Sequence, residues 1–154
     1  MAATPPRVFR ILIHAVDLGA SRRFYEELLA TSGREVAQGR VYFDCGAVIL
    51  GILDYAAVPE SDRPKPAEAI YLSTNRLPEV HERARRLNCL SKELLHGDPK
   101  NPMGEIVERP WGELSFYVED PSGNALCFVD ETTLFTGSPE QLAALRPKIP
   151  ESRR

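Results

Sequence analysis

Short stretches of this chain alternate apolar and polar residues with the two-residue period of β-strands. The alternation predicts strands over 7–16, 34–37, 40–44, 47–54, 68–74, 90–95, 113–119 and 124–130. Helical spacing of apolar residues predicts helices over 21–30, 77–87 and 138–145. Gly33 is expected to end the first helix and Ser138 to cap the last. Asp120-Pro121-Ser122-Gly123 has the composition of a type I turn joining the last two strands.

The order of strand, helix and three strands occurs twice. Such a repeat cannot bury its own sheet face alone, so two copies are expected to pair. We therefore predict an α+β fold in which two βαβββ modules form a curved mixed sheet with outer helices and a concave cleft. The boundaries are module one at 7–55, a proline-containing linker at 56–67, module two at 68–132 and a tail with a short helix at 133–154. A single ferredoxin-like sheet without a cleft is the alternative.

Charge and cysteine content limit the classes of function and the cellular locations to be considered. The net charge of −3 gives no electrostatic basis for binding nucleic acid, and Arg83, Arg85 and Arg86 are expected on a solvated helix face. No apolar run is long enough to span a bilayer, and the first six residues lack a signal-peptide core. Three widely spaced cysteines favour reduced thiols in a cytoplasmic protein over disulfides or structural zinc.

Two segments resemble the glyoxalase / bleomycin-resistance / dioxygenase (vicinal oxygen chelate) superfamily. Residues 14–29, HAVDLGASRRFYEELL, are similar to its first-module signature. Residues 109–130, RPWGELSFYVEDPSGNALCFVD, resemble the P-W-G and D-P-x-G-N run of its second module. With the repeat, the resemblance covers residues 7–132. It implies the paired-module fold but no particular reaction, because one fold hosts many functions.

Metal-using members of the superfamily place one His, Glu or Gln ligand on the first and last strand of each module. The resemblance puts the first at Arg10, seven residues before Asp17, and the last at Cys127, seven residues after Asp120. The internal repeat matches them to Ala69 and Leu50. Arginine, alanine and leucine cannot ligate, and a single thiol does not make a site. We therefore expect no metal unless a β-bulge brings Glu68 into the cleft.

The predicted cleft lining combines one cation, one imidazole, one thiol and apolar groups. Its candidate ligand-binding residues are Arg10, His14, Phe43, Leu50, Phe116 and Cys127. Other roles stay open for the polar ones: Arg10 can pair with Asp130, His14 can be structural, and Cys127 can be a small core residue. Likewise, Trp111 can anchor its loop or act as a stacking platform.

These features predict a metal-free protein that binds a small, largely apolar organic molecule, in the manner of resistance or sequestration proteins. The resemblance also implies a homodimer. The alternative is a metal-dependent lyase, isomerase or ring-cleaving dioxygenase holding one divalent metal as cofactor. A third possibility is a structural or regulatory protein with a vestigial cleft. No catalytic residue is assigned from the sequence.

Overall fold

A computed structural model describes residues 8–37, 39–57, 69–136 and 138–145 of the chain. Its strands and helices, in chain order, are β1 (Arg10–Ala15), α1 (Leu18–Leu28), β2 (Arg34–Ala37), β3 (Arg40–Cys45), β4 (Val48–Asp54), β5 (Ile70–Thr74), α2 (Leu77–Arg86), β6 (Val107–Glu108), β7 (Leu114–Glu119), β8 (Ala125–Asp130) and α3 (Pro139–Leu145). The α+β class and the repeated βαβββ order are confirmed. The chain divides into two compact units, unit 1 with Met1–Glu68 and Asp120–Asn124, and unit 2 with Ala69–Glu119 and Ala125–Arg154.

Unit 1 is a four-stranded mixed sheet with α1 packed on one face. The strand order is β1-β4-β3-β2, and β1 and β4 run parallel with Ile11 opposite Leu50. The apolar side of α1 buries Phe24, Tyr25 and Leu28, and the Tyr25 ring lies 5.9 Å from that of Phe43 on β3. Burial of these large apolar side chains stabilises the unit.

Helix α1 begins earlier and ends earlier than its sequence pattern predicts. Asp17 is the N-cap, and its carboxylate accepts a 3.0 Å hydrogen bond from the Ala20 amide. The helix ends at Leu28, and Ala30 takes the left-handed conformation at φ 51°. The prediction that Gly33 ends the helix is therefore wrong. Gly33 serves close packing, because a Cβ there would lie 2.8 Å from Val41 Cγ1 and 2.8 Å from Phe43 Cζ.

The predicted turn at Asp120–Gly123 is confirmed by a 3.1 Å hydrogen bond from the Gly123 amide to the Asp120 carbonyl. This turn belongs to unit 1, where it bonds to the end of β1. The Ser122 hydroxyl accepts from the Val16 amide at 2.9 Å, and the Asn124 side chain donates to the His14 carbonyl at 2.8 Å. Backbone groups at the edge of β1 are thereby satisfied by turn side chains.

Unit 2 repeats the arrangement with strand order β5-β8-β7-β6 and α2 on one face. The predicted strand at 90–95 is wrong, because only isolated bridges form there, from Leu90 to Val118 and from Leu94 to Pro102. The fourth strand is β6, only two residues long. The predicted cap of α3 is confirmed, since the Ser138 hydroxyl accepts from the Gln141 amide at 3.2 Å. Among the described residues, no helix is both long and apolar enough to cross a bilayer.

Candidate functional site

The sheet of unit 1 has two faces, and the strand register assigns each candidate residue to one of them. Ile11, Ile13 and Ala15 point toward α1, so the alternate residues of β1 point away from it. The pairings of β4 with β1 and of β3 with β4 extend this assignment across the sheet. We call the side away from α1 the distal face; it includes Arg10, Leu12, His14, Arg40, Tyr42, Asp44, Ile49, Gly51 and Leu53.

Two of the predicted lining residues lie on the opposite side of this sheet. Leu50 pairs with Ile11 and Phe43 pairs with Leu50, so both point toward α1. Leu50 is 3% exposed and Phe43 is fully buried. The prediction that they share a lining with Arg10 and His14 is therefore wrong. They are core residues beneath the helix.

The same register corrects the match between the two modules. Ile11 pairs with Leu50 in unit 1, and Ile70 pairs with Leu126 in unit 2. The counterpart of Cys127 is therefore Gly51, one residue beyond the predicted Leu50. A one-residue difference in a strand changes the face on which a side chain lies. The correction adds no metal donor, because glycine has no side chain.

Gly51 lies beneath two side chains of the distal face. A Cβ at this position would meet Leu12 Cδ2 at 2.5 Å and Tyr42 Cε1 at 2.9 Å. Leu12 and Tyr42 thus cover the glycine and together form an apolar surface, which we call the floor. Arg10 is exposed at one end of this floor, with its guanidinium carbon 5.7 Å from the centre of the Tyr42 ring and 5.0 Å from that of Phe9. Such a placement is favourable for a cation.

His14 is held by the turn of unit 1 and by a stacked ring. Its Nε2 lies 3.0 Å from the Ser122 carbonyl, and its ring stacks on Tyr55 at 4.5 Å. Because a carbonyl only accepts, Nε2 carries the hydrogen of this contact. Nδ1 is buried and has no hydrogen-bond partner among the described residues. His14 is therefore positioned by its Nε2 hydrogen bond and by ring stacking, with Nδ1 left without a partner among the described residues.

Cys127 of unit 2 is fully buried on the sheet face away from α2. It pairs with Tyr71 on β5 and Tyr117 on β7, and it forms a core cluster with Tyr117 and Val129 against which Met103 packs. Burial raises the pKa of the Cys127 thiol to about 11, because an apolar surrounding disfavours the thiolate. The thiol is therefore protonated at neutral pH and has the features of a core residue.

Phe116 does not lie beside Cys127 as predicted. It pairs with Phe128 and therefore points to the α2 side, where its ring meets the edge of His81 at 4.8 Å. His81 is half-buried and donates through Nε2 to the Gly104 carbonyl at 2.9 Å. The residue across from Cys127 on β7 is Tyr117. The face assignment of Phe116 was wrong by one residue.

The four positions at which the superfamily places ligands do not fit a divalent cation. After the correction they are Arg10, Gly51, Ala69 and Cys127. They offer a guanidinium, no side chain, a methyl group and a buried protonated thiol, none of which is a ligand in that state. Within residues 8–37, 39–57, 69–136 and 138–145, no three His, Cys, Asp or Glu side chains are placed to hold a metal together. Glu68 lies outside the described residues.

The interaction that sequence reasoning missed in unit 2 is the burial of Arg109, which is only 1% exposed. Its Nε donates to the Ser115 hydroxyl at 3.0 Å. The terminal nitrogens donate to oxygen atoms of Asn101, Pro102, Met103, Glu105 and Ser115. The guanidinium also lies 5.4 Å from the centre of the Tyr117 ring. It therefore fixes the 101–105 loop against β7, and burial lowers its pKa. In the sequence, the available indication of this buried role was the position of Arg109 directly before the Pro110-Trp111 pair.

Asp130, considered from the sequence as a partner of Arg10, is engaged locally. Its carboxylate accepts from the Thr132 hydroxyl at 2.6 Å and from the Thr132 amide at 2.8 Å. These hydrogen bonds hold the pKa of Asp130 below its usual value. Asp130 thus stabilises the turn that follows β8.

Comparison with solved structures identifies the fold. No family model and no curated protein matches the sequence. A lactoylglutathione lyase from Agrobacterium tumefaciens is structurally similar, with 19% identity over 84% of this chain and 96% of that chain and a TM-score of 0.60. A glyoxalase/bleomycin resistance protein from Albidiferax ferrireducens T118 has 18% identity over 80% and 98%, with a TM-score of 0.58.

An integron cassette protein of V. cholerae is also similar, with 16% identity over 85% of this chain and 99% of that chain and a TM-score of 0.64. The match covers nearly the whole length of these neighbours, although fewer than one residue in five is identical. The two βαβββ modules and the two signature segments agree with this likeness. The chain therefore has the fold of the glyoxalase/bleomycin-resistance proteins of the vicinal oxygen chelate superfamily.

Proposed function

We propose that this protein is a metal-independent binding protein for a small, largely apolar organic molecule that carries a carboxylate. The observation that supports the proposal is the distal face of unit 1, where the exposed Arg10 stands at the end of the floor made by Leu12 and Tyr42. Sequestration of such a molecule needs only a shaped apolar surface and an orienting polar group.

Arg10 supplies the orienting group. A guanidinium can bind a carboxylate through two parallel hydrogen bonds, and charge-assisted hydrogen bonds are about twice as strong as neutral ones. Its position over the Tyr42 ring limits the orientations that the side chain adopts. The carboxylate would therefore lie at the Arg10 end of the face.

Leu12 and Tyr42 supply the apolar contact. Leu12 is 36% exposed although it lies in the middle of a strand. An apolar chain or ring laid over it would remove this surface from water at about 25 cal/mol per Å². His14, which is held by the Ser122 carbonyl and the Tyr55 ring, is assigned a structural role in this site.

The donor set argues against Lewis-acid chemistry at the superfamily's metal positions. A divalent cation requires several anionic or neutral donors, whereas these positions carry one permanent cation and one thiol that stays protonated. The neighbours include proteins described as a lyase and as a resistance protein, and the resistance type agrees better with this donor set.

The test compares carboxylates with their neutral esters on the full-length protein. Calorimetric titration with phenylacetate and with methyl phenylacetate should show tighter binding of the acid to the wild type. Arg10→Gln should weaken phenylacetate binding by about tenfold or more, the loss expected for a charged hydrogen bond, and leave the ester unchanged. Arg23→Gln is the matched control, because Arg23 is an exposed arginine on α1.

Two outcomes would overturn the proposal. One is equal binding of phenylacetate by the wild type and the Arg10→Gln variant. The other is a purified protein that contains about one equivalent of zinc, nickel, manganese or iron per chain and loses ligand binding when the metal is chelated. The second result would favour the lyase, isomerase or dioxygenase alternative.

The homodimer implied by the superfamily resemblance is part of the same proposal. We expect sedimentation equilibrium of the full chain to give twice the monomer mass of 17.2 kDa. A monomer at micromolar concentration would remove the dimer from the proposal and leave the distal-face site of unit 1 unaffected.

A further inference from the structure

Unit 2 contains a cavity of about 340 Å³, and none of the six predicted ligand-binding residues is among its lining residues. It lies between the turn that carries Trp111, the segment that follows β8, and helix α3. Its walls include Trp111, Thr132, Thr133, Leu134, Gln141 and Ala144. The volume is at the lower end of the range for ligand pockets, about 300 to 1,000 Å³. A single ring with a small substituent matches this size.

Trp111 is held in place on one side of the cavity. Its indole Nε1–H donates to Glu113 Oε1 at 2.7 Å, and Glu113 Oε2 accepts from the Phe135 amide at 2.8 Å. Glu113 is 7% exposed, so its carboxylate joins the Trp111 turn to the segment after β8 through buried hydrogen bonds. The indole is thus both an anchor and a preoriented flat surface.

The opposite wall is held by Gln141 of α3. Its side-chain oxygen accepts from the Thr136 amide at 2.9 Å, and its nitrogen donates to the Leu134 carbonyl at 2.9 Å. Leu134, in the segment that follows β8, is 39% exposed, and Ala144 is exposed on α3. Two ordered walls, one aromatic and one aliphatic, therefore face the same space.

The chemistry of the lining selects a neutral occupant. No charged side chain is among the lining residues. The Thr133 hydroxyl donates to the Asp130 carbonyl at 2.9 Å and accepts from the Leu114 amide at 3.1 Å. The Thr132 hydroxyl donates to Asp130. With these groups used internally, a charged ligand would lose hydration without gaining a partner.

We propose that this cavity binds a small, neutral, planar ring compound stacked on Trp111 and covered by Leu134 and Ala144. The site is independent of the carboxylate site proposed above. Half of its lining residues, Thr133, Leu134, Gln141 and Ala144, lie beyond the segment that resembles the superfamily. Stacking on the flat face of an aromatic side chain favours planar molecules.

Trp111 is the only tryptophan in the chain, so its fluorescence reports this site alone. Titration of the full-length protein with nitrobenzene, a neutral planar quencher, should give quenching that saturates. Acrylamide, which quenches by collision, should give a linear response. Ala144→Leu adds bulk at the cavity wall and should weaken nitrobenzene binding at least tenfold. Ala143→Leu, at the neighbouring exposed alanine that does not line the cavity, should change it less than twofold.

A second variant keeps the test decisive if Ala144→Leu disturbs α3. Leu134→Ser replaces an apolar wall by a hydroxyl and should weaken saturable quenching several-fold, while Arg10→Gln should leave it unchanged. Linear quenching by nitrobenzene, with the same slope in the wild type and all variants, would overturn the proposal. Loss of saturation in the Arg10→Gln variant would also overturn it, because the two sites would then not be independent.

Discussion

The hydroxyl of Tyr25 donates a 2.8 Å hydrogen bond to the carboxylate of Asp120, a residue 95 positions away in the chain. Tyr25 is fully buried on α1, and Asp120 is 5% exposed at the start of the turn in unit 1. The same carboxylate accepts from the amides of Ser122 and Asn124 and from the Asn124 side chain. Four donors therefore stabilise one buried anion, and the phenol is the donor that comes from a helix.

Replacing Tyr25 by Phe should lower the free energy of unfolding by about 1.5 to 3 kcal/mol, the usual contribution of a hydrogen bond to a charged group. The ring stays in the core, so the loss comes from the missing donor. Urea denaturation measures it. Tyr71→Phe is the matched control, because Tyr71 is 57% exposed and its hydroxyl lies 3.4 Å from that of Tyr117. Equal losses in the two variants would contradict the role of Asp120.

Much of the fold follows from local pattern, whereas the candidate site depends on register. Alternation located β7 and β8 to within a residue, and the turn between them has the residues that a type I turn favours. No local signal distinguishes Leu50 from Gly51 as the counterpart of Cys127. That choice depends on the pairing of β1 with β4, and one residue exchanges the two faces of the sheet.

Buried polar contacts were invisible to sequence reasoning for a related reason. Four of the six acceptor atoms of Arg109 are backbone carbonyls, three of them in the 101–105 loop, and a carbonyl has no residue-specific signature. Tyr25 and Asp120 meet only when α1 and the turn are both in place. These contacts are consequences of tertiary structure, so they appear only once the chain has folded.

Gly51→Ala should destabilise the protein by about 1 to 3 kcal/mol, the range for overpacking. The added methyl would lie 2.5 Å from Leu12 Cδ2, so Leu12 and Tyr42 must shift. Thermal unfolding measures the effect, and phenylacetate titration shows whether the distal face has changed. Gly19→Ala on α1 is the control, because its nearest contact of 3.4 Å to Arg23 leaves room for a methyl. A Gly51→Ala variant as stable as the wild type would contradict the packing described for the floor.

Arg109→Lys should lower the free energy of unfolding by about 3 kcal/mol or more, as expected when a buried charged network loses its partners. Lysine keeps the charge but not the planar fork that reaches Ser115, Met103 and Glu105. Hydrogen exchange of the amides in the 101–105 loop should accelerate as well. Arg85→Lys, on the exposed face of α2 beside Glu82, should leave stability unchanged within error. Unchanged exchange in the loop of the Arg109→Lys variant would show that the guanidinium does not hold it.

The two fully or nearly buried thiols should make stability fall at alkaline pH. Burial raises the pKa of Cys89 and of Cys127 to about 11, from a usual value of 9.0. Between these values the unfolded chain releases the thiol protons and the folded chain keeps them. Stability is therefore complete below pH 9 and decreases as the pH rises toward 11.

Each such thiol contributes a slope of up to about 1.4 kcal/mol per pH unit within this window. Urea denaturation of the Cys127→Ala variant between pH 8 and pH 11 should therefore give a shallower decline than that of the wild type, whatever the variant's stability at pH 7. Cys45→Ala is the control, because Cys45 is only half-buried and its pKa is raised less. The wild type and the Cys127→Ala variant differ in no other titrating group. Parallel declines of stability in these two proteins would therefore mean that the Cys127 thiol ionises as easily in the folded chain as in the unfolded one. The buried cluster with Tyr117 and Val129 would then be more accessible to water than its packing indicates.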